Sequence, residues 1–255
     1  MSAFERRNKL GIVGHRGGRG EGWPAENTMA AFERAFAEGA DAIELDVRQC
    51  ATGEVVVFHD PDLKRTSGDD DLRKVSTVSY LELATRYKTP LLRDILAFCN
   101  DRRLGLNVEI KYDGGGSAEG GTRNLGRADR AALCRAVCRL LDVHRELDVI
   151  LSSFDPRILA RVRALRGDLR CALLTTTERK WSLPLARFGL VRGIVWAVHL
   201  EKVQATERVI RGLRRRGLHV GVWTVNNVEE ARRLRSWGAD WVITDQTAII
   251  RAGAA

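Results

Sequence analysis

The chain contains 255 residues and carries a net charge of +9, from 42 basic and 33 acidic residues. Apolar residues make up 44% of the chain and charged residues 29%, which is typical of an ordinary globular protein. A chain of this length buries enough apolar surface to fold without disulfides or a structural metal. No apolar stretch approaches the length of a membrane span. We therefore expect one globular domain over residues 1–255.

Short apolar runs alternate with longer amphipathic stretches along the chain. The runs predict strands at Leu10–Gly14, Ala42–Val47, Val55–His59, Leu106–Ile110, Val149–Ser153, Cys171–Thr175, Gly193–Val198, His219–Val225 and Asp240–Thr244. The stretches predict helices at Thr28–Glu38, Leu91–Asn100, Arg127–His144, Pro156–Leu165, Thr206–Arg216 and Val228–Trp237. Repeated strand–helix–strand units indicate a parallel α/β sheet. About eight right-handed crossovers close most naturally into a (βα)8 TIM barrel, with an open, doubly wound sheet as the alternative.

The region after the second strand departs from this repeat. Val55–His59 follows Ala42–Val47 too closely for a helix between them, which predicts a hairpin or an extension of one barrel strand. Residues 61–89 are polar, with few apolar anchors, and indicate a short surface excursion that permits a helix near Leu81. The glycine-rich residues 114–121 directly follow Lys111 and are interpreted as a linker or as a mobile lid.

Four polar clusters lie at or just after the ends of apolar runs. They are His15-Arg16, Glu44-Leu45-Asp46, His59-Asp60 and Glu109-Ile110-Lys111. Because strand side chains alternate between faces, the two carboxylates of the second cluster share one face, and Glu109 shares a face with Lys111. In a barrel both pairs point inward, where unpaired carboxylates are strongly disfavoured. Simple pairing with Arg16, Arg48 or Lys111 explains any one of these pairs but not the whole set.

The charges of the set indicate a metal. Glu44, Asp46 and Glu109 contribute about −3, while Arg16 and Lys111 contribute about +2. A divalent cation balances the set and leaves room for a phosphodiester of charge about −1. Since oxygen ligands select hard cations, Ca²⁺ or Mg²⁺ is expected rather than zinc.

Two histidines are then available for proton transfer. His15 and His59 each sit beside a charged residue at a strand end, and imidazole titrates near neutral pH. The other three histidines are interpreted as structural, although His199 follows a predicted strand and could line the pocket.

The ordered set of motifs resembles the glycerophosphodiester phosphodiesterases of the bacterial, cytoplasmic type. The matching segments are His15-Arg16-Gly17, Glu26-Asn27-Thr28, Glu44-x-Asp46, His59-Asp60, Arg65-Thr66, Glu109-x-Lys111, Ser152-Ser153-Phe154-Asp155, Trp223-Thr224-Val225-Asn226, Gly238-x-Asp240 and Ile243-Thr244-Asp245. Each segment alone is weak evidence, but their order spans nearly the whole chain. The resemblance implies a TIM barrel that uses Ca²⁺ or Mg²⁺ to hydrolyse glycerophosphodiesters to glycerol 3-phosphate and an alcohol.

The resemblance also implies a role for each matching side chain. Glu44, Asp46 and Glu109 resemble the metal ligands, and His15 and His59 resemble the acid–base pair. Arg16 and Lys111 resemble the phosphate clamps, Trp223 an aromatic pocket wall, and Glu26 the acidic residue beside the metal site, as a ligand or a close neighbour. The sequence assigns neither histidine to the acid or the base role, and the attacking group is water or the glycerol 2-hydroxyl.

Three features depart from the family pattern. The first loop, residues 17–23, is longer than is common, Ala25 replaces the proline before Glu26, and Gln246 follows Asp245 where the family has proline. These departures leave the alcohol specificity open. An enzyme of the lysophospholipase D type, acting on lysophospholipids, is the alternative, and an apolar groove at Trp23, Trp181 or Trp196 would favour it.

Cysteine and arginine usage bear on the compartment and on partners. Cys134 and Cys138 have helical i, i+4 spacing, which favours packed thiols over a zinc or redox pair. The first ten residues lack the apolar core of a signal peptide, so we expect a cytoplasmic protein.

Thirty-five of the 42 basic residues are arginines spread along the chain without interleaved aromatic residues. We therefore expect no nucleic acid partner. A non-catalytic, basic nucleic-acid-binding protein is a distant alternative to the phosphodiesterase.

Overall fold

A computed structural model describes residues 2–5, 9–111, 125–180, 182–187 and 193–254. Its strands are β1 Gly11–His15, β2 Ala42–Gln49, β3 Val55–Val57, β4 Gly105–Ile110, β5 Val149–Ser153, β6 Arg170–Thr175, β7 Ala197–Glu201, β8 His219–Trp223 and β9 Trp241–Thr244. Its α-helices are α1 Met29–Ala37, α2 Lys64–Ser67, α3 Tyr80–Tyr87, α4 Leu92–Arg102, α5 Leu125–Leu141, α6 Pro156–Leu165, α7 Ser182–Arg187, α8 Glu207–Arg214, α9 Val228–Trp237 and α10 Thr247–Ala254. None of these helices is both long and apolar enough to cross a membrane.

Eight parallel strands close into a barrel. The sheet order is β1-β9-β8-β7-β6-β5-β4-β2, and a further parallel pairing of β1 with β2 joins its two ends. This closure confirms the predicted (βα)8 barrel and excludes the open, doubly wound sheet. The short strand β3 pairs antiparallel with β2, so the predicted hairpin is also confirmed.

Alternation along each strand separates an outer apolar layer from the barrel interior. On β2, Ile43, Leu45 and Val47 are fully buried within the outer layer that contacts the helices. Ala42 belongs instead to the interior cluster, which also contains Phe4 and Trp241. The polar side chains of the strands continue this inward face toward the carboxyl ends, and the alternation therefore aims them at one mouth of the barrel.

The excursion after β3 has a core of its own. Leu63, Val75, Val78 and Leu83 are buried against Val56 of β3. The expectation of few apolar anchors is therefore wrong. The sequence did not reveal these anchors because they are spaced irregularly and show no single helical or strand period. The helix expected near Leu81 is present as α3.

One predicted strand begins too early. The sequence predicted Gly193–Val198, whereas β7 runs from Ala197 to Glu201. The inward-facing His199 and Glu201 interrupt the apolar run, which hides the second half of the strand from a sequence pattern. The glycine-rich segment proposed as a linker or lid, residues 114–121, lies outside the described residues.

Trp241 fills the barrel interior at the end opposite the mouth. Its side chain is fully buried, and Phe4 meets it edge-on with ring centroids 5.3 Å apart. A Cβ placed on Gly221 would lie 2.1 Å from the indole Nε1, so only glycine fits beside this ring.

Gly221→Ala should therefore destabilise the fold by about 1–3 kcal/mol, the usual cost of overpacking a dense core. Gly212→Ala is the matched control, because the nearest atom to its added methyl group is 3.7 Å away and it lies within α8. Since alanine is the better helix former, this control should gain about 0.5–1 kcal/mol. Urea denaturation measures both, and equal midpoints for the two variants would contradict the packing argument.

Candidate active site

Three carboxylates meet inside the carboxyl end of the barrel. Glu44 and Asp46 project inward from β2, and Glu109 projects inward from β4, where it is the register partner of Asp46. One oxygen from each side chain lies within 4.8 Å of the others, and the three residues are 3%, 0% and 6% exposed. The strand alternation expected from the sequence thus brings all three predicted ligands together.

Crowding and burial shift the ionisation of this carboxylate cluster. Burial, reinforced by the charges of Asp46 and Glu109, raises the pKa of Glu44 well above its usual range. Burial also raises the pKa of Glu109, although Lys111 opposes the shift. For Asp46 burial acts in the same direction, but Lys111 and Arg16 outweigh it and hold the pKa of that carboxyl below its usual range. Without a further cation, ionising all three carboxylates costs considerable free energy.

Lys111 and Arg16 supply the two cations at the cluster. Lys111 Nζ lies 2.6 Å from Glu109 Oε1 and 3.1 Å from Asp46 Oδ1. Arg16 Nε lies 3.2 Å from Asp46 Oδ2, and the backbone N–H of Arg16 donates to Glu44 Oε2 at 2.9 Å. Both predicted clamps therefore border the carboxylate cluster.

Arg16 is held in this position by its own left-handed backbone conformation and by that of Asn27, which contacts it. Arg16 has φ of +52° and Asn27 has φ of +58°, and the N–H of Asn27 donates to the Arg16 carbonyl at 3.0 Å. Asn27 Nδ2 in turn donates to Asp46 Oδ2 at 2.9 Å. Such conformations are uncommon away from glycine and persist where surrounding contacts fix them.

His15 is oriented by a carboxylate from the far end of the chain. Its Nδ1 lies 2.8 Å from Asp245 Oδ1, which requires the proton on Nδ1 and leaves Nε2 as the free nitrogen. Arg19 binds the same carboxylate through Nε at 3.0 Å and Nη2 at 3.2 Å. Burial lowers the pKa of His15, although Asp245 opposes the shift.

His59 has a matching arrangement. Its Nδ1 lies 2.6 Å from Asp60 Oδ1, and Arg65 Nε donates to the other oxygen of that carboxylate. Burial lowers the pKa of His59 to about 4. Arg48, at the end of β2, donates from Nε and Nη2 to the His59 carbonyl at 2.9 and 2.7 Å, which fixes the backbone that carries the imidazole.

Glu26 lies beside the carboxylate cluster and is joined to it through Arg16. Its Oε1 accepts from Arg16 Nη1 at 2.9 Å and from Arg65 Nη2 at 2.6 Å, and its Oε2 accepts from Arg19 at 3.4 Å. The carboxylate thus ties the first loop to the excursion, while Arg16 spans the distance to Asp46.

Aromatic side chains form a wall on the other flank. Trp223 meets Phe154 edge-on at 5.7 Å, and Lys111 Nζ lies 5.7 Å from the Phe154 ring centre. Of the three tryptophans named for the lysophospholipase D alternative, Trp23 lines a cavity beside His59. Trp196 stacks on Trp241 at the opposite end of the barrel, and Trp181 lies outside the described residues.

His199 is fully buried on the inward face of β7, edge-on to Trp241 at a centroid distance of 5.5 Å. Burial lowers the pKa of this imidazole to about 3. The weak expectation that it lines an open pocket does not match this position.

Sequence reasoning gave no role to the partners of the candidate site residues, although most of them stand in the segments that match the family. Asp245 and Asp60 orient the histidines, Arg19 and Arg65 bridge carboxylates, and Asn27 supports Asp46. Asp60 could have been found, because it adjoins His59 and ends the same run. Asp245 also follows a strand end, but its contact spans 230 positions and no local pattern reveals it.

Comparison with known proteins agrees with this geometry. Residues 15–249 match the Glycerophosphoryl diester phosphodiesterase family. A Glycerophosphodiester phosphodiesterase of Caldanaerobacter subterraneus subsp. tengcongensis is 28% identical over 92% of this chain and 93% of its own. A Bacillus subtilis relative named Uncharacterized protein YqiK is 30% identical over 92% of this chain and 94% of its own.

Solved structures share the fold. The glycerophosphodiester phosphodiesterase of Thermotoga maritima superposes with a TM-score of 0.72 at 27% identity, covering 97% of this chain and 99% of its own. An Oleispira antarctica phosphodiesterase, solved in complex with the product sn-glycerol-3-phosphate, superposes with a TM-score of 0.79 at 22% identity over 96% of each chain. With the family match extending from His15 to beyond Asp245, this chain belongs to the glycerophosphoryl diester phosphodiesterase family.

Proposed function

We propose that this protein hydrolyses glycerophosphodiesters to glycerol 3-phosphate and an alcohol, with a divalent cation and histidine acid–base catalysis. The observation that carries the proposal is the meeting of three carboxylates, two cations and two histidine–aspartate pairs at one mouth of the barrel. The sn-glycerol-3-phosphate bound to the Oleispira antarctica relative supports the proposed product. We infer that residues 1–255 act as one catalytic domain in a reducing cytoplasm, an inference supported by five free, buried cysteines.

Glu44, Asp46 and Glu109 would hold the cation. The cluster fits a hard ion because all its donors are oxygens, and because burial and the neighbouring charges of Asp46 and Glu109 raise the pKa of Glu44. Asp46 Oδ1 supports the fit further, since it is buried and accepts no hydrogen bond of good geometry from the described residues, with Lys111 Nζ 3.1 Å away. When bound, Ca²⁺ or Mg²⁺ would supply positive charge for the diester and its glycerol hydroxyls.

Arg16 and Lys111 would hold the phosphate. Both side chains are fixed by two carboxylates each, so they need little reorganisation when charge grows on the phosphate oxygens. Such preorganised charges stabilise a transition state more than the ground state. The Trp223–Phe154 wall would confine the substrate on the Lys111 side.

His15 and His59 would move the protons. One imidazole accepts a proton at Nε2 from water or from the glycerol 2-hydroxyl, whose oxygen then bonds to phosphorus. The bond from phosphorus to the head-group oxygen breaks, and the other imidazole, which enters the step protonated on both nitrogens, donates its Nε2 proton to that oxygen. If the 2-hydroxyl attacks, water subsequently opens the cyclic phosphate. Asp245 and Asp60 accept from Nδ1–H of each ring, so Nε2 is the nitrogen that exchanges protons.

The decisive experiment measures glycerol 3-phosphate release from glycerophosphocholine and lysophosphatidic acid release from lysophosphatidylcholine. We expect release from glycerophosphocholine, loss of that activity in EDTA, and recovery with Ca²⁺ or Mg²⁺. Preference for lysophosphatidylcholine, with lysophosphatidic acid as product, would favour the lysophospholipase D alternative. Salt-dependent DNA or RNA binding without hydrolysis would favour the nucleic-acid alternative. Full activity in EDTA would contradict the metal.

Metal binding can also be tested without activity. Because folding raises the pKa of Glu44, the metal-free protein takes up a proton that the unfolded chain releases, and its stability falls as pH rises above the normal carboxyl range. Glu44→Gln should therefore stabilise the metal-free protein at pH 7, because it removes a carboxyl whose charged form is disfavoured by burial. The same change should remove most of the increase in melting temperature that Ca²⁺ or Mg²⁺ produces. Glu33→Gln, at an exposed position of α1, is the control and should alter neither quantity.

Removing either proposed proton carrier should abolish most of the activity. We expect His15→Gln and His59→Gln each to lower kcat by roughly two to four powers of ten, the usual contribution of general acid–base catalysis. His144→Gln is the control, because this histidine lies in the turn after α5, away from the barrel mouth. Near wild-type turnover in either site variant, with unchanged circular dichroism, would refute its role.

A further inference from the structure

A side cavity opens beside the candidate catalytic histidine His59. It has a volume of about 380 Å³, within the range of small-molecule sites, and lies between the first loop and the excursion after β3. Trp23, Phe58 and Tyr87 form its apolar walls, and Glu26 and His59 border it toward the carboxylate cluster.

Thr89 gives this cavity an unsatisfied polar group. The residue lines the cavity and is 4% exposed, and its hydroxyl has no hydrogen-bond partner within the part of the chain that is described. Its backbone is fixed, since the N–H of Thr89 donates to the Leu83 carbonyl at 3.3 Å. A rotation about χ1 exchanges the hydroxyl and methyl positions between staggered wells. The hydroxyl can therefore pair with a ligand group without giving up another hydrogen bond.

The charged lining does not suit a cationic ligand. Both oxygens of Glu26 are already engaged, Oε1 by Arg16 and Arg65 and Oε2 by Arg19. Arg19 and Arg65 themselves border the cavity, so the groups that face it carry an excess of positive charge.

The main aromatic wall is held in place by Arg34. Its guanidinium lies 4.2 Å from the centre of the Trp23 ring and borders a neighbouring cavity, not this one. A Cβ on Gly18 would come within 2.4 Å of the same ring, which shows how closely the backbone packs there.

We propose that this cavity is the subsite for the departing alcohol, and that it selects uncharged polyol head groups over quaternary ammonium ones. The inference rests on the proposed function and extends it to the substrate class: diesters of a glycerol- or inositol-like alcohol. Thr89 would accept or donate a hydrogen bond to a head-group hydroxyl, and the aromatic walls would cover its carbon face. His59, on the border of the cavity, would lie next to the oxygen that leaves with this alcohol.

The test compares kcat/KM for glycerophosphoinositol, glycerophosphoglycerol and glycerophosphocholine. We expect the wild-type protein to prefer the two polyol diesters. Thr89→Val keeps the side-chain shape and removes the hydroxyl, so it should lower kcat/KM for the polyol diesters about three- to tenfold, the value of one neutral hydrogen bond. It should leave glycerophosphocholine unchanged. Thr89→Ser keeps the hydroxyl and should retain the polyol preference.

A second pair of variants tests the cavity by its volume. Ala25 borders the cavity from an exposed position, so Ala25→Phe should narrow it and slow glycerophosphoinositol more than glycerophosphoglycerol. Ala51→Phe, at an exposed position of the β2–β3 turn, is the matched control and should change no ratio.

The outcomes separate two failures. A protein that releases glycerol 3-phosphate from none of the three diesters would overturn the proposed function and this subsite with it. Release from all three, with a preference for the choline diester or with ratios that Thr89→Val and Ala25→Phe leave unchanged, would overturn the subsite alone.

Discussion

The barrel mouth is organised by the confinement of three carboxylates that strand alternation turns inward. Glu44, Asp46 and Glu109 cannot move apart, because each is fixed in the register of a parallel sheet whose other face packs under helices. Their repulsion must be balanced within a few ångströms, and Arg16 and Lys111 provide that balance only in part. The remaining negative charge is what makes the site suitable for a divalent cation and then for an anionic diester.

The same constraint explains why so many side chains around the mouth are paired. Glu26 and Asn27 fix the direction of Arg16, as its proposed contact with a phosphate requires. Each histidine has its own carboxylate, so the rings remain oriented although burial lowers the pKa of both. The pairing replaces water as the partner of these groups, which is the electrostatic preorganisation expected of a catalytic site.

Sequence reasoning predicted the parts of this arrangement that follow from the side-chain alternation within strands and from the order of the strands and helices. The i, i+2 spacing of Glu44 with Asp46 and of Glu109 with Lys111 indicated a common inward face, and the repeated strand–helix units indicated the barrel. It did not reach contacts that depend on closure, such as Asp245 with His15, since β1 meets β9 only when the sheet closes. It also misjudged elements whose apolar residues lack a period, which is why the start of β7 and the core of the excursion differ from expectation.

Two departures from the family pattern are parts of one contact. The long first loop is held at Arg19, whose carbonyl accepts from Gln246 Nε2 at 2.9 Å and whose N–H donates to the Asp245 carbonyl at 3.3 Å. The N–H of Gln246 also donates to Thr244 Oγ1 at 2.9 Å, a bond that proline cannot make. Gln246, which the resemblance places where proline is expected, therefore anchors the first loop at Arg19. Because that loop also carries Trp23 and Ala25 to the side cavity, the change after β9 helps to shape the region where the departing alcohol is proposed to bind.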